Sequence, residues 1–271
     1  MRTLQLILLL LFLQVAAYSQ PREHYIQLQV ENKKQLISLT QMVSIDDRKG
    51  NNVLAYATDQ QLLRIDKAGY AYQELTHPGN RLKSVKMAET MEEMENWDRY
   101  PTYGLYVKMM HQYAEDFPSL CRIDTIGYSM EDRMLLALRI SDNPGKQEKE
   151  PEVFYTSTMH GDETAGYVLM LRFADFLLNN YGSHSQATKL VDGLEIHINP
   201  NANPDGTYAS GNSTLTGATR NNAAGIDLNR NFPDPDNGTH PDGNAWQPET
   251  RAMMEYARQH AFNLSANFHG G

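Results

Sequence analysis

The sequence has little of three things, and each shortage excludes a class of protein. Cys121 is the only cysteine among 271 residues, so no intrachain disulfide can form. Lys and Arg number 24 against 33 acidic residues, which gives a formal charge of −9. Because no dense basic stripe offsets this charge, we expect no nucleic-acid partner. After the first 19 residues no apolar run is long enough to cross a bilayer, so we expect no membrane span in the mature chain.

The first 19 residues hold the one long apolar run. Arg2 supplies a positive start, Leu6 to Leu13 is uninterrupted, and Ala17 to Ser19 forms a small-x-small cleavage site. This pattern predicts a signal peptide over residues 1–19 and therefore a secreted or periplasmic protein. An uncleaved amphipathic anchor is the alternative that the pattern favours less.

Hydrophobic periodicity divides the rest of the chain into two parts. Residues 20–85 predict a small β-α-β-α-β module, and the acidic, Met-rich residues 86–96 predict a linker. In residues 97–271 strands alternate with helices, which is typical of an α/β fold. We therefore predict a mixed central sheet with helices on both faces, preceded by a small α+β module.

A histidine and a glutamate follow a predicted buried strand in the stretch "TMHGDETAGY". His160 and Glu163 lie at the carboxyl end of that strand, the edge at which α/β sheets bind ligands. Their spacing can direct both side chains to one point, and imidazole and carboxylate are two of the three ligands of a His₂Glu zinc site. An HxxE pair alone is more often a solvated turn. Asp162 is the weaker ligand candidate.

A third ligand must come from elsewhere in the chain. His269 follows a strand-like stretch and precedes two glycines in "NLSANFHGG". His197 fits one face of a sheet, and His184, His240 and His260 fit solvated positions. His269 is thus the best candidate.

Three polar side chains in loops suggest an anion site. Asn229 and Arg230 are adjacent in "GIDLNRNFPD", and Arg220 precedes them. The arginines either lie in solvent, paired with surface acids, or they bind a carboxylate, whose geometry guanidinium matches.

Taken together, these stretches resemble the zinc metallocarboxypeptidases, and their carboxypeptidase N/E-like branch more than the pancreatic one. The similarity runs from about Trp97 to the last residue. The motifs that carry it, in order, are YPTYGLYV, MHGDE, NPNANPDG, GIDLNRNFPD, QPET and SANFHGG. The resemblance implies a carboxypeptidase-like fold and an enzyme that removes C-terminal residues from peptides or proteins by zinc-activated water.

The resemblance also implies roles for particular residues. It implies that Zn²⁺ is bound by His160, Glu163 and His269. It implies that Arg220 polarises the scissile carbonyl, that Asn229 and Arg230 hold the substrate's terminal carboxylate, and that Asp227 orients His160. The module of residues 20–85 is similar in size and pattern to the pro-segments of the family, which implies a prodomain. We also expect a monomer.

One departure from the family lies at the C-terminal end of the sequence. In the family a general-base glutamate and a substrate-covering tyrosine lie well downstream of the second zinc histidine, whereas this sequence ends two residues after His269. We therefore expect an incomplete catalytic domain that binds zinc but hydrolyses peptides feebly.

Three other functions fit parts of the pattern. A zinc amidohydrolase that deacylates small N-acyl amino acids would share the HxxE pair and a DLNR-like stretch. A catalytically dead peptide-binding homologue would keep the fold, and a cell-wall peptidase would use the same chemistry on other substrates. The long NPNANPDG loop and the strand order favour the peptidase.

Overall fold

The computed structural model describes residues 20–81, 85–146 and 148–270. The predicted signal peptide, residues 1–19, lies outside the described residues. In the described part of the chain, no helix has both the length and the apolar character that crossing a membrane requires.

The N-terminal module, residues 20–81, is a four-stranded antiparallel sheet with two helices. In chain order its elements are β1 (Glu23–Gln29), α1 (Lys33–Thr40), β2 (Ser44–Lys49), β3 (Asn52–Thr58), α2 (Asp59–Lys67) and β4 (Tyr72–Leu75). The strand order is β2-β3-β1-β4. The apolar pattern predicts only three of these strands and does not reveal β2. Four of the six residues of this edge strand are exposed, so β2 shows no alternation of apolar and polar residues.

Short elements lead from the module to the main sheet. They are the 3-10 helix Pro78–Arg81, β5 (Met87–Ala88), α3 (Met91–Met94) and β6 (Tyr100–Pro101). Helix α4 (Tyr103–Asp116) begins after Thr102, whose hydroxyl accepts a hydrogen bond from the backbone N–H of Leu105 at 3.3 Å. This N-cap gives a partner to one of the backbone N–H groups that the first turn of a helix leaves unpaired.

The main sheet is mixed, as predicted. Its strands are β7 (Cys121–Tyr128), β8 (Met134–Ile140), β9 (Glu152–Ser157), β10 (Glu195–Asn199) and β11 (Phe262–Phe268). In the order β11-β9-β10-β8-β7, the first three strands run parallel, β8 is antiparallel to β10, and β7 is antiparallel to β8.

Helices cover both faces of this sheet. The remaining helices are α5 (Ala165–Asn180), α6 (Ser185–Gly193), α7 (Pro204–Thr207), the 3-10 helix Leu228–Arg230 and α8 (Pro248–Gln259). Residues of α4, α5 and α6 share one buried cluster with Leu136 and Leu138 of β8. Ala137, between them, points to the other face and packs in a cluster with Met253 of α8. The alternation along β8 therefore places a core on each side.

The pairing of β9 with β11 determines where the polar loops meet. Ser157, the last residue of β9, pairs with Phe268, the last residue of β11. Because the two strands are parallel neighbours, the segments that leave them emerge side by side at the carboxyl edge of the sheet.

Candidate metal centre

The loop after β9 starts with a strained residue. Thr158 is fully buried and has a φ of 57°, a left-handed conformation that β-branched residues rarely adopt. Its Oγ1 donates a hydrogen bond to the carbonyl oxygen of Glu163 at 3.2 Å. This bond closes the turn that carries His160 and Glu163, and it offsets part of the strain.

A glycine and an asparagine fix the same loop from the other side. A Cβ atom on Gly161 would lie 2.3 Å from the carbonyl carbon of Gly206, so no larger residue fits there. The side-chain amide of the buried Asn203 donates to the carbonyl oxygens of Met159, at 3.3 Å, and Arg220, at 3.2 Å. The NPNANPDG loop therefore supports the metal-site loop.

The structure brings His160, Glu163 and His269 together. Nδ1 of His160 lies 2.8 Å from Oε1 of Glu163, and Nδ1 of His269 lies 2.8 Å from Oε2 of the same carboxylate. The two Nδ1 atoms are 3.1 Å apart. His160 is buried, whereas the His269 side chain is 39% exposed, so the group is accessible from one side.

The chemistry and spacing of these donors fit a zinc ion. Two imidazole nitrogens and one carboxylate are the donor set of a catalytic His₂Glu site. Ligands that bind tetrahedral zinc at about 2.0–2.2 Å lie about 3–3.6 Å from one another. The observed separations of 2.8–3.1 Å require only a slight spreading of the three side chains.

Asp227 holds His160 from behind. Its Oδ1 lies 3.1 Å from Nε2 of His160 and accepts a hydrogen bond from it. Asp227 therefore favours the tautomer in which Nε2 carries the proton and the lone pair of Nδ1 faces Glu163 and His269. Burial raises the pKa of Asp227, but the hydrogen bonds from His160 and Ser44 and the charges of His160 and Arg220 together keep that pKa well below its usual range. Burial likewise raises the pKa of Glu163, yet its hydrogen bonds to His160 and His269 lower that pKa to about 2. Both carboxylates are therefore ionised at neutral pH.

Arg220 lies beside this triad. Its guanidinium Nη1 donates to Oε1 of Glu163 at 3.2 Å, and Nε is 3.5 Å from Oδ2 of Asp227. Burial lowers the pKa of Arg220, but the two carboxylates raise it further than burial lowers it. A permanent positive charge thus lies next to the three donors.

The N-terminal module covers the outer side of Arg220. Nε of Arg220 donates to Oγ of Ser44 at 2.8 Å, and the Tyr56 ring lies 5.1 Å from the guanidinium carbon. Asp46 is 3.8 Å from Nη1, and Glu23 accepts a hydrogen bond from the Arg220 backbone N–H at 2.7 Å. Only 5% of Arg220 is exposed as a result. No sequence pattern predicts these contacts, because the residues of the module that make them belong to no recognisable motif.

The other predicted site residues lie at the edge of this network. Asn229 and Arg230 are exposed on the 3-10 turn directly after Asp227 and, among the described contacts, are not joined to the triad through their side chains. Asp162 faces the module instead of the triad and accepts a hydrogen bond from the Tyr56 hydroxyl at 2.9 Å. Burial raises the pKa of Asp162 to about 6.

Known proteins resemble this chain over most of its length after the N-terminal module. A family model described as zinc carboxypeptidase matches residues 106–271. The chain belongs to the zinc carboxypeptidase family. Carboxypeptidase D of Anas platyrhynchos is 43% identical over 165 residues, which is 60% of this chain and 12% of that protein. The carboxypeptidase N catalytic chain of Homo sapiens is 38% identical over 197 residues, covering 64% of this chain and 43% of that protein.

These relatives confirm the predicted resemblance to the carboxypeptidase N/E-like branch, and the chain spans less than half the length of each.

Solved structures confirm the fold. Carboxypeptidase A from Helicoverpa armigera superposes with a TM-score of 0.65 at 18% identity, over 92% of this chain and 70% of its own. Thrombin activatable fibrinolysis inhibitor superposes with a TM-score of 0.62 at 16% identity, over 91% of this chain and 71% of its own.

Proposed function

We propose that this chain provides the metal-binding part of a zinc-dependent carboxypeptidase, which removes C-terminal residues from peptides or proteins. The observation that carries the proposal is the convergence of His160, Glu163 and His269 beside the guanidinium of Arg220. A metal ion next to a fixed positive charge suits the hydrolysis of an amide, in which negative charge develops on the carbonyl oxygen.

In this mechanism the three donors hold zinc, and the ion, when bound, supplies a Lewis acid for the scissile carbonyl and for water. Asp227 keeps His160 in the ligating tautomer. Arg220 donates hydrogen bonds to the oxyanion once the substrate replaces Ser44. Asn229 and Arg230, both exposed, bind the terminal carboxylate of the incoming peptide, which limits cleavage to the last residue.

We further propose that the N-terminal module acts as an inhibitory prodomain. Ser44, Asp46 and Tyr56 occupy the side of Arg220 that a substrate carbonyl would approach. A substrate must therefore displace the module, or the module must be cleaved off, before Arg220 can take part.

We expect this chain to hydrolyse peptides slowly. A general base must lie within hydrogen-bond reach of the attacking water, and a carboxylate is one of the side chains that can take its proton. Among the described residues, the carboxylates around the triad are engaged: Glu163 with both histidines, Asp227 with His160 and Asp162 with Tyr56.

The test uses purified protein loaded with zinc and three ligands: a blocked dipeptide, its C-terminal amide and an N-acyl amino acid. We expect calorimetry to show binding of the dipeptide and at least tenfold weaker binding of the amide, with only slow release of the C-terminal residue. Fast release would contradict the proposed lack of a base. Equal binding of dipeptide and amide would contradict exopeptidase recognition, and hydrolysis of the N-acyl amino acid alone would favour an amidohydrolase.

We also propose that the protein is exported, on the basis of the sequence pattern in residues 1–19. Expression of the whole chain in a bacterium, followed by N-terminal sequencing, should find a mature protein that begins at Gln20. An intact N-terminus on membrane-bound protein would favour the anchor instead.

A further inference from the structure

A second cluster of potential metal ligands lies at the other end of the sheet. Glu152 and Glu195 are the first residues of the parallel strands β9 and β10, and they pair directly with one another. His197 is two residues along β10, on the same face as Glu195, and His260 comes two residues before β11. Since β9 has six residues at about 3.3 Å each, this cluster is separated from His160 by the length of the strand, about 17 Å.

The four side chains converge on one point. Nε2 of His197 lies 2.9 Å from Oε1 of Glu195 and 3.9 Å from Oε2 of Glu152. Nδ1 of His260 lies 3.1 Å from the same Oε2 atom, and all four potential ligand atoms lie within 4.8 Å of one another. His197 is fully buried, and the side chains of Glu152 and His260 are each 15% exposed.

The hydrogen bonds behind His197 allow a tautomer in which Nε2 carries a lone pair. The hydroxyl of Tyr256 donates to Asp124 at 3.1 Å and is also 2.6 Å from Nδ1 of His197. When the single proton of this hydroxyl goes to Asp124, Nδ1 of His197 donates to Tyr256, and a neutral His197 then has only a lone pair at Nε2. That lone pair faces the carboxylate of Glu195. A positive charge at this point, from a proton or from a metal ion, is needed to make the contact favourable.

The charges around the cluster suit a divalent ion. Asp124, Glu152 and Glu195 supply three negative charges, and Arg139 supplies one positive charge through contacts of 2.9 Å to Glu195 and 3.8 Å to Asp124. With neutral imidazoles the group retains two negative charges. A single proton on His197 would neutralise one of them, whereas a divalent ion neutralises both.

The second histidine decides between the two sources of charge. A proton on Nε2 of His197 would satisfy Glu195 and would require nothing further. The structure places Nδ1 of His260 and a carboxylate oxygen of Glu152 at the same point, which completes a set of two imidazoles and two carboxylates. Zinc accepts both imidazole nitrogen and carboxylate oxygen as ligands, and in structural sites it is almost always four-coordinate. A cavity of about 370 Å³, lined by Asp124, Arg139, Tyr256 and His260 among others, lies beside this group.

We propose that Glu152, Glu195, His197 and His260 form a second zinc site, with four protein ligands and a structural role. Zinc there joins the starts of β9 and β10, the approach to β11 and the end of α8. Because the four ligands fill the coordination sphere of the ion, no position remains for substrate, and the site stabilises the fold without catalysing a reaction.

The test measures zinc content and the melting temperature of the full chain and of variants at each site. We expect two zinc ions per wild-type chain, one in Glu163→Gln, one in His260→Gln and none in the double variant. Added zinc should raise the melting temperature of Glu163→Gln but not of the double variant. Co²⁺ should give the visible absorption of a four-coordinate ion in Glu163→Gln, and this absorption should disappear in the double variant.

Two further variants complete the design. His111→Ala removes an exposed histidine of α4 and should retain two zinc ions. Glu152→Gln tests the same site at a position on its rim and should lose one ion, even if His260→Gln folds poorly. The proposal is overturned if wild-type protein binds a single zinc ion that Glu163→Gln removes. A single ion that Glu163→Gln keeps and His260→Gln loses would instead support this site and contradict the proposed catalytic centre.

Discussion

Nε of Arg220 donates a hydrogen bond to Oγ of Ser44 at 2.8 Å, and these two residues belong to different parts of the chain. Ser44 begins strand β2 of the N-terminal module, whereas Arg220 lies beside the candidate zinc ligands. The arginine expected to meet the substrate is therefore bound within the protein. Under the proposed function, a substrate must displace Ser44 before it can reach Arg220.

Ser44→Ala should increase the affinity for a blocked dipeptide. A hydrogen bond to a charged group contributes about 1.5–3 kcal/mol to the stability of the state in which it forms. Removing the Ser44 hydroxyl should therefore destabilise the state in which the module covers Arg220, relative to the state in which Arg220 is open to substrate. We expect about tenfold tighter binding by calorimetry, which corresponds to about 1.4 kcal/mol. Ser38→Ala, in helix α1 of the same module, is the matched control and should leave the affinity unchanged. Equal affinities for both variants and the wild type would show that the module does not cover Arg220 in solution.

Asp227→Asn should weaken zinc binding at the first site. The asparagine can still accept a hydrogen bond from the backbone N–H of Asn229, as Asp227 does at 2.9 Å, so the 3-10 turn is kept. It cannot supply the negative charge that orients His160 and increases its basicity. Loss of such a partner costs about 10- to 100-fold in metal affinity. Competition with a chromophoric chelator measures the zinc affinity of the variant and of the wild type. Asp236→Asn, at an exposed loop position, should bind zinc as the wild type does, and an unchanged affinity in Asp227→Asn would refute the positioning role.

Gly161→Ala should destabilise the protein because its Cβ atom would lie 2.3 Å from the backbone of Gly206. Forcing a methyl group into a packed site costs about 1–3 kcal/mol, and here both neighbours are main chain. Gly104→Ala is the control, since a Cβ atom there meets nothing within 4 Å. That variant should be neutral or stabilised by up to about 1 kcal/mol through helix propensity. Denaturant unfolding compares the two, and equal stabilities would show that the metal-site loop adapts.

Sequence patterns predicted the parts of this structure that depend on local chemistry. The HxxE spacing, the buried strand before it and the succession of strands and helices are each determined by a few neighbouring residues. Contacts across long sequence separations were predictable only where family resemblance supplied them, as for His269. The contacts of Ser44 and Tyr56 with the site had no such signal, because their own strands show nothing unusual. His197 was interpreted as one face of a sheet and His260 as solvated, and their convergence depends on the parallel register of β9, β10 and β11.

Cys121 should be unreactive in the folded protein. It is 2% exposed at the start of β7, and burial raises the pKa of its thiol to about 12. Since the thiolate is the reactive form, only about one molecule in 10,000 would be reactive at pH 8 even with free access. Labelling with a chromogenic disulfide reagent should therefore follow the rate at which the protein opens, and it should accelerate in denaturant. Ser119→Cys, which adds an exposed thiol two residues away, should give one fast-reacting equivalent beside the slow one. Fast reaction of the single thiol in native wild-type protein would show that this end of β7 opens readily, contrary to its packing in the main core.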